Sequence, residues 1–324
     1  MNEVDNKLFC LDSSYSTTRR LASIIPVIEN PPEAKFQSRL FLPPNAGRRG
    51  EGGLRTQGLF KVGSSQGLDG EESNHTDARP LITVITAVCN GGNTLEQSIL
   101  SVLNQSYDNL EYIIIDGGSE DGTLDIIRKY EQAIDYWVSE PDKGIYDAWN
   151  KGVGLALGDW VAFLGADDTY LAGAIHAYVE SLADQQDQRW EYLSSRVNLT
   201  TGTKMMRTVG QRWRWKTFRR YMSVAHVGSL HSRSLFERYG LFDTSYKISG
   251  DYEFLLRAGS DLHATYLDSV TVNMGIGGAS DNNLLGFREK ERAQVTTGGR
   301  NALLSRIEGM LAVVKWNLRK RLWY

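Results

Sequence analysis

Gly158–Tyr170 reads GDWVAFLGADDTY. The apolar run Trp160–Leu164 stops abruptly at Asp167 and Asp168. Such a run predicts a buried strand that delivers two adjacent carboxylates to the C-terminal edge of a sheet. In open α/β sheets that edge is where ligands bind. Two neighbouring carboxylates on a rigid strand end suit a hard divalent cation, Mg²⁺ or Mn²⁺, which keeps substrate phosphates among its ligands. The plainer reading is a polar turn, for which Asp is equally apt.

Upstream, strand and helix patterns alternate. Leu81–Ala87 (LITVITA) is rich in β-branched residues and suits a strand buried on both faces. Asn90-Gly91-Gly92 makes a turn, and Thr94 with Gln97 forms a capping-box pattern before the helical face Leu95, Ile99, Val102, Leu103. Glu111–Ile115 predicts a second strand ending at Asp116. The loop from Gly117 through Gly118 to Gly122 leads to a helix over Thr123–Glu131. Ile134–Val138 predicts a third strand, and Ile145–Leu157 a helix stopped by Gly158. Short connections between alternating elements predict an α/β fold with a Rossmann-like, mostly parallel sheet. Downstream, a helix over Ala172–Leu182 precedes strands at Glu191–Val197, Thr203–Val209 and Ala264–Leu267, and helical segments at Phe236–Tyr239 and Tyr252–Ala258. The second half is therefore mixed.

The 324 residues carry a net charge of −3, so nothing in the overall charge points to nucleic acid. Cys10 and Cys89 are the two cysteines, too few for a disulfide framework or a zinc pattern, which fits a reducing, cytoplasmic setting. No apolar run reaches membrane-spanning length, and the N-terminus lacks a signal-peptide pattern. Residues 1–79 are expected to be an N-terminal extension, largely irregular or disordered, with Gly67–Ala78 as a linker and Leu21–Ile28 and Leu54–Val62 able to pack. Residues 80–285 form the expected catalytic domain, and 286–324 an amphipathic helical tail. There is no Walker loop, and no G-x-G-x-x-G follows a strand, so a nucleotide would be bound by another scheme.

Three predicted strands end in polar residues on one edge: Asn90, Asp116, and Asp167 with Asp168. Asp116 can accept hydrogen bonds from a uracil ring or ribose, or close an Asx-turn. Asp121 reads as a helix N-cap. In Ser249-Gly250-Asp251-Tyr252-Glu253, Asp251 is either a carboxylate at a helix N-terminus or a general base for an acceptor hydroxyl. A helix N-terminus would keep it ionised and weakly basic.

Three stretches carry a family resemblance. PLITVITAVCNGGNTLEQSILSVLNQSYDNLEYIIIDGGSEDGT (80–123) resembles the opening of a family 2 glycosyltransferase. SEPDKGIYDAWNKGVGLALGDWVAFLGADD (139–168) and FERYGLFDTSYKISGDYEFLLRAG (236–259) resemble the subgroup that builds bacterial O-antigens and other surface polysaccharides. The resemblance runs from about Gly52 to Ser280, and EGGLRTQGLFK (51–61) is similar to that subgroup's preamble. It implies a GT-A fold, a nucleotide-sugar donor, a divalent metal and inversion at the anomeric carbon. By position, Asp116 would contact the donor base, Asp167 the metal on the diphosphate, and Asp251 would be the base. Asn90, Gly118, Glu140, Asp142 and Lys143 would line the donor pocket. His226 and Glu253 would lie on the acceptor side, His226 having a core position as its other reading. Two departures stand out. Gly165 replaces the first Asp of the family's Asp-x-Asp motif, leaving Asp167, helped by Asp168, for the metal. Cys89 stands where an aromatic residue is frequent.

Gln211-Arg212-Trp213-Arg214-Trp215 matches a motif of processive polysaccharide synthases, but there it follows the base and accompanies membrane spans. The segment Arg207–Tyr221 is nonetheless basic and aromatic, suited to a lipid diphosphate, to sugar rings, or to a solvated face. From Asn301 to Tyr324, Leu303, Ile307, Leu311, Val314, Leu318 and Leu322 recur at helical spacing before Lys315, Arg319, Lys320 and Arg321. That suits a helix lying on an anionic membrane or packed against protein. The expectation is an inverting transferase at the inner face of a bacterial membrane, acting on a glycan or lipid-linked oligosaccharide acceptor. The alternatives are a sugar nucleotidyltransferase and an inactive nucleotide-sugar-binding protein.

Overall fold

The computed structural model describes residues 10–11, 15–61, 79–183, 189–277 and 283–323. Gly67–Ala78, the expected linker, lies outside them. The first strands are β1 (Leu21–Ala22), β2 (Gly50–Gly52) and β3 (Phe60–Lys61). The alternating half follows: β4 (Ile82–Val88), α1 (Leu95–Leu103), β5 (Leu110–Asp116), α2 (Thr123–Lys129), β6 (Tyr136–Ser139), α3 (Ile145–Leu155) and β7 (Trp160–Gly165). The mixed half holds β8 (Thr169–Tyr170), α4 (Ala174–Ala183), β9 (Tyr192–Thr201), β10 (Lys204–Val209), α5 (Trp215–Phe218), β11 (Ser229–Ser232), α6 (Arg233–Tyr239), α7 (Gly250–Ala258) and β12 (Ala264–Gly275). Two helices, α8 (Asn283–Thr296) and α9 (Ala302–Trp323), close the chain.

One ten-stranded sheet runs β2-β6-β5-β4-β7-β11-β9-β12-β8, with β10 paired to β9. Strands β6, β5, β4 and β7 are mutually parallel. Beyond β7 the sheet turns mixed, β11 pairing antiparallel with both β7 and β9 while β12 runs parallel to β9. The period-2 alternation of strands splits the apolar side chains between two layers. Ile82, Val84, Ile114 and Leu164 pack with α1 and α4 residues such as Ile99 and Ile175. Ile85, Ile113, Ile115 and Phe163 face the opposite layer, with Trp149 and Val153 of α3 and Phe254 of α7. Both faces are covered, so every residue of β5 is buried.

Local signals behave unevenly. The Thr94 side chain makes no cap hydrogen bond, contrary to the capping-box expectation. The turn is held instead by Gly91 N–H donating to Thr123 Oγ1 (2.9 Å) and Gly92 N–H to Asp121 (2.9 Å). Helix α3 stops at Leu155, before Gly158, because Ala156 is already extended. Ala264–Leu267 is the start of a twelve-residue strand.

Residues 15–61 form little regular structure but are built into the fold. Thr17 Oγ1 donates to Ala133 O (2.6 Å), Lys35 N–H to Glu237 O (3.0 Å) and Arg39 N–H to Gly154 O (2.8 Å). Strand β2 extends the main sheet beside β6. Arg55 is buried with Glu111 of β5 at 2.6 Å, both side chains inaccessible to solvent. Glu111 also accepts Thr83 Oγ1 (2.6 Å) and Leu157 N–H (2.8 Å), so its charge is matched and its lone pairs are used.

Candidate active site

Parallel strands point their C-terminal ends the same way, and the ends of β4, β5 and β7 bring together residues distant in sequence. A cavity of about 320 Å³ opens at this edge, lined among others by Tyr146, Trp149, Asp167, His226, Lys247 and Asp251. Asp167 is exposed, and its side chain makes no hydrogen bond among the described residues. Asp168 is different. It is 3 % exposed and accepts Gly165 N–H (3.2 Å) through Oδ2 and Gly275 N–H (2.9 Å) through Oδ1. Burial first, and the charge of Asp167 second, push its pKa up to about 7.

Gly165, the departure from Asp-x-Asp, has a steric reason. A Cβ there would lie 2.6 Å from Asp168 Oδ2 and 3.0 Å from Asp167 Oδ1. The Asp168 carboxylate thus occupies the space in which a longer residue at 165 would begin, and it ties the loop to the end of β12. Asn273–Gly275 belongs to that strand.

Asp251 lies in the first turn of α7 and is half-buried. Its Oδ1 accepts Tyr252 N–H (2.8 Å) and Tyr146 O–H (3.2 Å). Burial outweighs both hydrogen bonds and raises its pKa to about 6. The sequence expectation of a weakly basic carboxylate is therefore corrected: removing water from the charged form costs more than the helix terminus returns. Asp251 stays ionised at neutral pH yet holds a proton better than an ordinary aspartate.

His226 is 8 % exposed, stacked on Phe163 with ring centroids 5.0 Å apart and 4.8 Å from Trp149. Neither ring nitrogen has a partner among the described residues. Burial lowers its pKa to about 3, so the ring is neutral. It is at once a core histidine and part of the cavity wall.

The donor-side residues divide. Asp116 is fully buried, accepting Ser139 Oγ (2.6 Å), the amides of Gly118 (3.2 Å) and Ser119 (3.1 Å), and the Ser119 hydroxyl. Its oxygens shape the loop. Gly118 has φ of 84°, and Asn90, at φ 55°, accepts Glu120 N–H (2.9 Å). Asp121 takes Thr123 N–H (3.0 Å), though Gly122 holds the cap position. Asp142 comes closer to the strand edge: a Cβ on Gly117 would sit 2.7 Å from its Oδ2. Glu140 is 4 % exposed and held by Arg48 and Lys151, each at 2.9 Å. Burial pushes its pKa up, but the Lys151 and Arg48 hydrogen bonds prevail and hold it low. Lys143 is exposed, and its carbonyl accepts Lys247 Nζ (2.5 Å).

Glu253 sits apart from the cavity. It is 6 % exposed, paired with Arg257 at 2.5 Å and hydrogen-bonded to Thr297 Oγ1 (2.9 Å), which fastens α7 to the chain after α8. Tyr146, Trp149 and Lys247 are cavity residues that sequence reading did not single out. Tyr146 and Trp149 carried a signal, an i, i+3 aromatic pair inside the most specific motif. Lys247 carried none, being a loop residue placed by tertiary contact.

The family model "Glycosyl transferase family 2" matches residues 83–228. An uncharacterized glycosyltransferase of Mycobacterium tuberculosis is 35% identical over 190 residues, covering 55% of this chain and 69% of that protein. A PGL/p-HBAD biosynthesis glycosyltransferase of Mycobacterium bovis is 27% identical over 267 residues, 75% of this chain and 100% of its own. Among solved structures, S. aureus TarS 1-349 in complex with UDP-GlcNAc superposes with a TM-score of 0.54 at 14% identity, covering 69% of each chain. The fold is the GT-A fold that the sequence resemblance implies.

Proposed function

The chain belongs to glycosyltransferase family 2, and from that premise we propose that it moves one sugar from a nucleotide-sugar donor to a surface-glycan acceptor with inversion. One observation carries this reading: a free carboxylate, Asp167, and a proton-accepting one, Asp251, line the same cavity at the C-terminal edge of the parallel sheet. Its volume of about 320 Å³ suits a small ligand.

The donor set fits a divalent cation. Asp167 offers one free carboxylate; Asp168, expected from the sequence to help hold the metal, is buried and holds the Gly165 and Gly275 amides instead. No group of three or more His, Cys, Asp or Glu side chains among the described residues could hold a metal ion by itself. Mg²⁺ or Mn²⁺ is commonly held by one or two carboxylates with substrate phosphates completing the shell. Bound there, it would neutralise the diphosphate leaving group without proton transfer. The base of the donor would lie against the loops carrying Asn90, Gly118 and Asp142, over a frame that Asp116 keeps rigid. Asp251 takes the acceptor's hydroxyl proton as the oxygen–anomeric carbon bond forms and the carbon–diphosphate bond breaks. Tyr146 holds Oδ1, leaving Oδ2 for that proton. His226, neutral and unpartnered, supplies a polar contact to a sugar in the cavity. A preorganised acceptor and base make a covalent intermediate unnecessary.

The test is thermal stabilisation by a panel of nucleoside diphosphates and nucleotide sugars, each with and without Mn²⁺. Ligand saturating at about 100 times its Kd stabilises by about 2.7 kcal/mol. A metal-dependent shift with one base class, lost in Asp167→Ala, is expected. Equal shifts with and without metal would remove Asp167 from its role, and no shift with any nucleotide would sink the donor reading.

The acceptor is proposed to be lipid-linked, met at the cytoplasmic face of the membrane. No helix among the described residues is long and apolar enough to cross a membrane. Leu303, Ile307, Met310 and Val314 of α9 are nonetheless exposed along one side, ahead of the basic residues Lys315, Arg319, Lys320 and Arg321. Truncation after Arg300 is expected to shift the protein from membranes to the soluble fraction on flotation. An unchanged distribution would confine α9 to packing.

A further inference from the structure

A second cleft lies outside the catalytic cavity. It has a volume of about 340 Å³ between α5 and the start of α9, and is lined by Trp215, Lys216, Arg219, Arg220, Arg300 and Leu304. Four cations meet there with one carboxylate, Glu308, among their ion pairs to described residues. Glu308 pairs with Arg220 at 3.0 Å and with Arg300 at 2.9 Å. Arg219 is fixed without being neutralised: it donates to the carbonyls of Gly298 (2.7 Å) and Gly299 (2.5 Å), with its guanidinium 5.9 Å from the Trp215 ring centre. Lys216 is exposed and has no ion pair among the described residues. A whole-chain charge of −3 makes this local excess of positive charge a feature of the cleft.

Two further observations narrow the ligand. Leu304, at the mouth, starts the exposed apolar side of α9, where Leu303 is 67%, Ile307 45% and Met310 62% exposed. The other wall is wired to the catalytic base. Tyr252, next to Asp251, donates its hydroxyl to Phe218 O (3.0 Å), and Gln294 Nε2 reaches Arg220 O (2.5 Å). Past Arg220, the chain at Met222 enters a cavity of about 220 Å³ that Asp251 and Lys290 also line. One direction from the cleft thus leads to an apolar helix side, the other to the base.

We propose that this cleft binds the phosphate or diphosphate joining the acceptor sugar to its lipid, with the lipid chain on α9 and the sugar toward Asp251. The proposal rests on the transferase reading above and adds the place and the residues that bind the acceptor's phosphate. Arginine forks match phosphate oxygens bidentately, and charge-assisted bonds of this kind are the strong ones. Burial of an apolar chain beside them selects an amphiphile over a free anion.

Farnesyl diphosphate, farnesol and inorganic pyrophosphate are the probes, titrated calorimetrically into the full chain without divalent metal, so that the donor site is not competent. Farnesyl diphosphate is expected to bind, and both truncated probes to bind at least about tenfold more weakly, the loss of one charged hydrogen bond or of the chain. Lys216→Glu with Arg220→Glu, both surface positions, should cost at least about tenfold for farnesyl diphosphate. It should leave nucleotide- and Mn²⁺-dependent stabilisation unchanged. Asp167→Ala should do the reverse, which separates failure of the cleft from failure of the donor site. Unaltered farnesyl diphosphate affinity in the double variant overturns the proposal. So does a double variant that loses only its binding to phosphatidylglycerol vesicles, since the cleft would then read membrane charge.

Discussion

Asp251→Asn is expected to lower the rate of sugar transfer by about 10²–10⁴-fold, the usual worth of a positioned general base. The substitution is nearly isosteric. Asparagine Oδ1 can keep the hydrogen bonds from Tyr252 N–H and Tyr146 O–H that the carboxylate accepts now. Folding and donor-dependent stabilisation should therefore persist while turnover is lost. The wild type adds a second signature. With the Asp251 pKa raised by burial to about 6, the carboxyl is charged above that pH and protonated below it. The rate should be flat from neutral pH upward and fall as pH drops through about 6. The variant should lose this acid limb together with its rate. A retained limb at unchanged rate would assign the proton to another group.

Arg55→Met is expected to destabilise the protein by about 3–5 kcal/mol, the typical result of breaking a buried ion pair from one side. Glu111 would remain charged inside the sheet, and the carbonyls of Leu40 and Leu155 would lose their donor. Adding Glu111→Gln removes the stranded charge while keeping an acceptor for Thr83 and Leu157. The double variant should recover roughly half of the loss, a coupling expected of residues in direct contact. Denaturant unfolding measures both. A loss below about 1 kcal/mol for the single variant would mean water reaches the pair. This pair makes residues 15–61 part of the catalytic domain's stability, not an appendage to it.

The alternation of strand and helix was legible because it is local. Buried parallel strands need continuous apolar runs, and Leu81–Ala87, Glu111–Ile115 and Trp160–Leu164 supply them. The same periodicity placed Asn90, Asp116 and Asp167 on one edge. Strand β11 was missed, since Ser229-Leu-His-Ser has neither apolar continuity nor alternation, and its burial comes from β7 and β9 on either side. The extension was read as irregular from its glycines and prolines, which describe its backbone but not its attachment. Asp251 was singled out by its motif, but its proton affinity was misjudged, because a helix terminus is visible in sequence and desolvation is not.

By itself the sequence determined the family, the order of the alternating elements from β4 to β7 and the residue types at their strand ends, all set by neighbours a few positions apart. Only the tertiary structure decided which carboxylates are available for chemistry. Glu140 is claimed by Arg48, 92 residues away, and Asp168 by Gly275, 107 residues away, whereas Asp167 is left free. A buried polar group must find its partner wherever the fold brings one. That pairing leaves Asp167 and Asp251 open to the cavity.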